Sequence, residues 1–235
     1  MNLWSGNIEL YKLQDEILKK VFSLENNFYL TGGTALHRFY YNYRLSDDLD
    51  FFTNNDLLFQ EYIRECFYEF DKAGINFKII IREKDFVRIT FKELKIDFVN
   101  DIAFRYGKSK IIEKYRIDNV INILTNKICA IIGRDDEKDI FDLLSICINE
   151  EFIWDEVIEI ANKKMKITTE TLLYRLKTFP FEWLSRIKLL DKKIKFKQED
   201  LKIIINDIKQ GGKNSLKFSR SKKWMYMKES YQVKI

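Results

Sequence analysis

YLTGGTALHRFYYNYRLSDDLDFF, residues 29–52, is the stretch that decides the fold of this chain. It holds a short apolar run, a glycine pair, a helix-compatible segment at 35–43, a polar loop RLSDD, and a second apolar run, LDFF, at 49–52. Both apolar runs suit strands, being short, partly aromatic and bounded by turn residues. Side chains alternate across a strand, so Asp48 and Asp50 point one way while Leu49 and Phe51 point into a core. Asp47 turns to the opposite side. Two neighbouring carboxylates repel and raise each other's proton affinity, a cost that a bound divalent cation removes. Magnesium, or manganese in its place, suits such hard oxygen donors and bridges carboxylates to phosphates. Gly32 and Gly33 allow close backbone approach, and the helix that follows offers amide groups to a phosphate. A glycine pair or a DxD alone is common on protein surfaces. In this order the two point to a metal-and-phosphate site.

Upstream, residues 10–24 have helical apolar spacing. Downstream, Asn54, Asn55 and Asp56 offer a helix start and Gly74 its stop. Three strand-like runs follow, NFKIII (76–81), DFVRITF (85–91) and LKIDFV (94–99), the last two joined by Lys92 and Glu93 without a glycine. Asp97 interrupts the last run, and its alternation with Ile96 and Phe98 parallels that of Asp50. It is the candidate third metal-binding carboxylate, of the kind that helps activate an attacking hydroxyl. The alternative is a carboxylate paired with a lysine or arginine at a sheet edge. From Asn119 onward the pattern is helical, through INILTNKICAII, KDIFDLLSICI, WDEVIEIANKK, TLLYRLKTF, FEWLSRIKLL and EDLKIIINDIKQ. The predicted class is α+β. Residues 1–117 form an α/β domain, a mixed sheet flanked by helices, and residues 118–235 a helical bundle with a basic C-terminal part. The end from Lys213 is expected to be loosely held.

With 235 residues, 46% hydrophobic and 15% aromatic, the chain can bury a sizeable core. No segment approaches the roughly 20 apolar residues of a membrane span, and the start lacks a basic-then-apolar leader pattern, so no membrane partner and a cytoplasmic location are expected. Cys66, Cys129 and Cys147 show no CxxC spacing and read as small core residues. His37 is the one histidine and reads as a packed residue, so chemistry must rest on carboxylates. Charge is asymmetric: beyond residue 160 there are 20 basic against 7 acidic residues, before it 21 against 29. An acidic front and a basic back suit a metal and a polyanion respectively, although lysine-rich solvated helix faces give the same count. Trp183, Trp224, Tyr226 and Tyr231 lie among the lysines, where aromatic rings can stack on RNA bases, with Trp183 the one that reads as core.

The GGTAL and RLSDDLDFF motifs, with KICAIIGRDDEKDIFDLL at 127–144, resemble the AbiEii-type nucleotidyltransferase toxins, including the MenT-type toxins, within the polymerase-beta-like superfamily. Together with Asp97 these motifs span about half the chain. The resemblance implies that Asp48 and Asp50 bind metal and that Arg44 and Ser46 position the loop or a nucleoside triphosphate, with Gly32, Gly33 and Thr34 of the turn as further candidate nucleotide-binding residues. It also implies that Lys127 contacts nucleotide phosphates and Asp139 is a further essential acid near the nucleotide. Lys127 lies on an otherwise apolar helix face, where a cation needs an anionic partner, and a triphosphate would supply one. The implied activity is transfer of a nucleoside monophosphate to an acceptor hydroxyl, RNA such as the tRNA 3′ end, by a toxin of a toxin–antitoxin or phage-defence pair with an antitoxin partner. A protein or small-molecule acceptor, or a binding module without turnover, are the alternatives.

Overall fold

A computed structural model describes residues 3–220 of the chain. Trp224, Tyr226 and Tyr231 lie outside the described residues. Seven strands, β1 (Tyr29–Thr31), β2 (Asp48–Asn54), β3 (Phe77–Arg82), β4 (Phe86–Phe91), β5 (Leu94–Asp101), β6 (Lys110–Ile112) and β7 (Tyr115–Ile117), form one mixed sheet in the order β3-β4-β5-β2-β1-β7-β6. The pairs β2–β5 and β1–β7 are parallel and the others antiparallel. Alternation sets the core face. Leu49 and Phe51 of β2 and Ile96 and Phe98 of β5 have no exposed surface, and the Phe51 and Phe98 rings stack with centroids 5.3 Å apart. Phe28 completes this aromatic layer, 5.2 Å from the Phe98 ring. The five longer or motif-bearing strands match the predicted runs, whereas β6 and β7, three residues each, are too short for periodicity to reveal.

Helix α1 (Leu3–Ser23) begins before the expected segment, and α2 (Gly32–Phe39) begins on the glycines rather than at Ala35. The third helix, α3 (Phe59–Lys72), starts later than Asn54, because the Asn54 side chain is drawn to the carbonyls of Asp101 and Ala103 at the end of β5. Gly74, at φ +71°, ends it as expected. At the free edge, β3 carries a bulge. Ile79 opposes Ile89 and Ile81 opposes Arg88, leaving Ile80 as the extra residue.

The described chain divides into two compact units, residues to 123 with Lys188–Leu190, and residues 124–187 with those from 191 onward. The boundary falls inside α4 (Val120–Gly133). The second unit is built from α5 (Glu137–Asn149), α6 (Trp154–Lys164), α7 (Thr169–Thr178) and α8 (Gln198–Gln210), the last ended by Gly211 at φ +63°. The segment FEWLSRIKLL is not a full helix. Residues Phe181–Arg186 form a 3₁₀ turn, and the chain beyond it pairs like a strand, with Leu45 N–H donating to the Lys188 carbonyl (2.9 Å) and Leu190 N–H to that of Tyr43 (2.9 Å). Trp183 is half-buried rather than core, with the Arg186 guanidinium 4.5 Å above its ring. Nor are residues 213–220 loose, while the remainder of the end expected to be loosely held lies outside the described residues. Asn214 is buried and donates to the Cys147 carbonyl (2.7 Å), Leu216 has no exposed surface, and Arg220 pairs with Asp200. Among the described residues no helix is long and apolar enough to cross a membrane.

Candidate active site

Strand register gathers the predicted acids. Asp50 lies opposite Asp97 across the β2–β5 pair, Asp48 lies opposite Lys95, and Asp97 lies opposite Arg88 across β4–β5. Opposed residues share a face, so Asp48, Asp50, Asp97, Lys95 and Arg88 all stand on the side of the sheet away from Phe51 and Phe98. The Arg88 fork grips Asp97, Nε to Oδ1 and Nη2 to Oδ2, both at 2.7 Å. Lys95 Nζ donates to Asp48 Oδ2 at 2.9 Å. The hydrogen bond to Asp97 raises the Arg88 pKa. For Lys95 burial acts downward, but the hydrogen bond and charge of Asp48 outweigh it and the ammonium titrates above its usual value. The structure thus joins the metal reading of Asp97 to its alternative: it stands with the other acids and is paired with an arginine.

The glycines serve the protein's own side chains. Gly32 has φ +71°, and a Cβ there would collide with the Asp50 carboxylate. A Cβ on Gly33 would strike the Arg44 guanidinium and stand 2.9 Å from Ser46 Oγ. Thr34 Oγ1 donates to the Asp48 carbonyl, so all five predicted turn and loop residues converge on the first turn of α2. Arg44 is buried, donating to the Leu45 carbonyl at 3.0 Å. Gln14 of α1, also buried, holds the loop from behind by donating to the Ser46 carbonyl (2.8 Å) while accepting from Arg38 (3.0 Å).

Lys127 and Asp139 meet in the second unit. Lys127 Nζ lies 2.8 Å from Asp139 Oδ1 and 2.7 Å from Asp142 Oδ2, and Arg134 Nε donates to Asp139 Oδ2 at 2.8 Å. Asp139 and Asp142 are almost wholly buried. The anion that the buried lysine requires is therefore supplied by α5. Burial pushes the Asp139 carboxyl up, but the Lys127 charge and the Arg134 hydrogen bond more than offset it and hold the group below the usual carboxylate range.

Residues 16–212 match the family described as "Nucleotidyl transferase AbiEii toxin, Type IV TA system". The chain belongs to the AbiEii nucleotidyltransferase toxin family. It is 30% identical over 178 residues to aq_aa25 of Aquifex aeolicus (strain VF5), described only as uncharacterized, covering 71% of this chain and 83% of that protein. The fold is shared with JHP933 from Helicobacter pylori, at TM-score 0.58 and 19% identity, over 95% of this chain and 98% of that one. A second Helicobacter pylori structure aligns at TM-score 0.58 and 21% identity, over 86% and 94%. This AbiEii member is a nucleotidyltransferase, an enzyme class that moves a nucleoside monophosphate from a nucleoside triphosphate.

As the side chains stand, no group of three or more His, Cys, Asp or Glu among the described residues is close enough to hold a metal ion. The chemistry of the donors nonetheless fits one. Asp48 and Asp50 are hard oxygen ligands on one strand face, and the face already attracts two side-chain cations. Asp97 could join them only by giving up at least one of its two bonds to Arg88. His37 has no exposed surface, and none of the three cysteines is in a disulfide. The cations Arg88 and Lys95 were missed in the sequence, although the alternation that marks Asp97 also marks Lys95, and Arg88 interrupts an apolar run in the same way.

Proposed function

We propose that this protein transfers a nucleoside monophosphate from a magnesium- or manganese-bound nucleoside triphosphate to a hydroxyl of an RNA acceptor, such as the tRNA 3′ end, as the toxin of a toxin–antitoxin or phage-defence pair in the cytosol. One observation carries the reading. Asp50 lies against Gly32 and opposite Thr31, and the Asp48 carbonyl accepts from Thr34, so the strand bearing both acids abuts the glycine turn instead of standing apart from it. Asp48 and Asp50 would hold the metal, which when bound neutralises the triphosphate and favours departure of pyrophosphate. Arg44 and Ser46, fixed beneath Gly33, would orient the triphosphate near the start of α2. Asp97 would help activate the acceptor hydroxyl, Arg88 loosening its fork to free an oxygen. Lys127 is assigned to the nucleotide phosphates, its ammonium kept charged and in place by Asp139 and Asp142. The excess of basic residues beyond residue 160 suits a polyanionic acceptor.

The test is incubation of the purified chain, and of an Asp48→Ala/Asp50→Ala variant, with magnesium, each labelled nucleoside triphosphate and total bacterial RNA. Label entering RNA with the intact chain alone supports the reading and names the nucleotide. Nucleotide binding without label in RNA overturns the RNA acceptor and directs the search to protein or small-molecule hydroxyls.

A further inference from the structure

Asp118 belongs to none of the motifs above, yet it has no exposed surface and accepts four hydrogen bonds through its carboxylate. Its Oδ2 accepts from Thr31 Oγ1 (2.8 Å) and Asn122 Nδ2 (2.7 Å), and its Oδ1 from Arg105 Nη2 (3.0 Å) and the Asn119 N–H (3.0 Å). Its own N–H donates to the Leu30 carbonyl, and its carbonyl accepts from the Tyr40 hydroxyl at 2.7 Å. Four donors meet the full capacity of a carboxylate, and Arg105 balances the charge.

Two of those partners bracket α2. Thr31 is its N-cap residue and Tyr40 its C-cap. A threonine at an N-cap ordinarily turns its hydroxyl onto an amide of the first helical turn. Thr31 makes no such bond, because the hydroxyl is given to Asp118. The residue whose hydroxyl is drawn away stands directly across from Asp50 and immediately before Gly32.

We infer that Asp118 is a positioning residue for nucleotide binding. By accepting the Thr31 hydroxyl it anchors the residue immediately before the glycine turn, and by accepting from Tyr40 it fixes the far end of α2, so that the turn is held in place for a phosphate. The inference rests on the function proposed above, in which the triphosphate sits at this turn.

Calorimetric titration with magnesium and each of the four ribonucleoside triphosphates tests it without any acceptor. The substitutions are Thr31→Val, Thr31→Ser and Asp118→Asn, each titrated well below its melting temperature. Removing one directing hydrogen bond in Thr31→Val should weaken binding of the preferred triphosphate by about tenfold, while Thr31→Ser, which keeps the hydroxyl, should stay within about twofold of the parent. Asp118→Asn should weaken binding at least as much, and if it does not fold the threonine pair still decides. A folded Thr31→Val that binds the triphosphate as the parent does overturns the inference and leaves the proposed function standing. A parent chain that binds none of the four overturns both.

Discussion

The two clusters of opposite charge in this protein are built from the same residue types and behave differently. On the sheet, Asp48 and Lys95 keep 33% and 37% of their side-chain surface exposed. Between the helices, Asp139 and Asp142 keep 1% and 0%, and Lys127 11%. Near solvent, exchanging a lysine for a metal ion costs little, because water and counterions compensate either arrangement. In the interior, any vacancy leaves a charge stranded in low dielectric. Asp48 can therefore change partners during a reaction cycle, whereas the buried acids of the helix cluster hold position.

That contrast breaks first on activity. Asp48→Ala/Asp50→Ala should lower nucleotidyl transfer by about 10³-fold or more while leaving the melting temperature equal or higher, since two repelling carboxylates are removed. A large loss of stability in that variant would make the sheet cluster structural too. Next in size, Asp139→Asn should cost about 3–5 kcal/mol in urea denaturation by leaving Lys127 and Arg134 short of an anion. A loss below about 1 kcal/mol would show that Asp142 alone suffices.

Acid titration sharpens the same point. The native Asp139 carboxyl titrates below its ordinary range, so its contribution is complete above the unfolded value near pH 4 and is lost as pH falls from there through the depressed native value. Asp139→Asn should therefore flatten the acid limb of the stability profile relative to the parent and leave its shape above about pH 6 unchanged. The smallest effect belongs to Lys95→Ala. Its partly exposed pair with Asp48 should contribute less than about 1 kcal/mol, and its removal should tighten manganese binding measured by electron spin resonance, since a competing cation is gone.

Local pattern carried the acid strand, the glycine turn and the grouping of Asp50 with Asp97, because a period of two fixes the face of every residue once the strand is recognised. It could not say which cation meets which acid. Lys95 reaches Asp48 across 47 positions through a parallel pairing, and parallel register is invisible in a single strand's sequence. Asp118 was hidden for the same reason, its decisive partner Thr31 being 87 residues away. Lys127 reads as a buried cation in want of an anion, and Asp139 and Asp142, one helix further along, are anions that this reading does not name as its partners. Short strands such as β6 and the helix-like run that pairs at Lys188–Leu190 were set by their neighbours' unpaired backbone, which no local propensity encodes.

The bulge in β3 has a consequence for how the molecule behaves when crowded. An outermost strand rich in isoleucine is a template on which further copies could stack edge to edge. Here Ile80 is left out of step with β4, which bends the backbone that such stacking would need straight, and Lys78 and Arg82 place positive charge at both ends of the same short segment. Any newcomer presenting the same strand would meet a curved, like-charged border, so one surplus residue and two cations oppose such stacking.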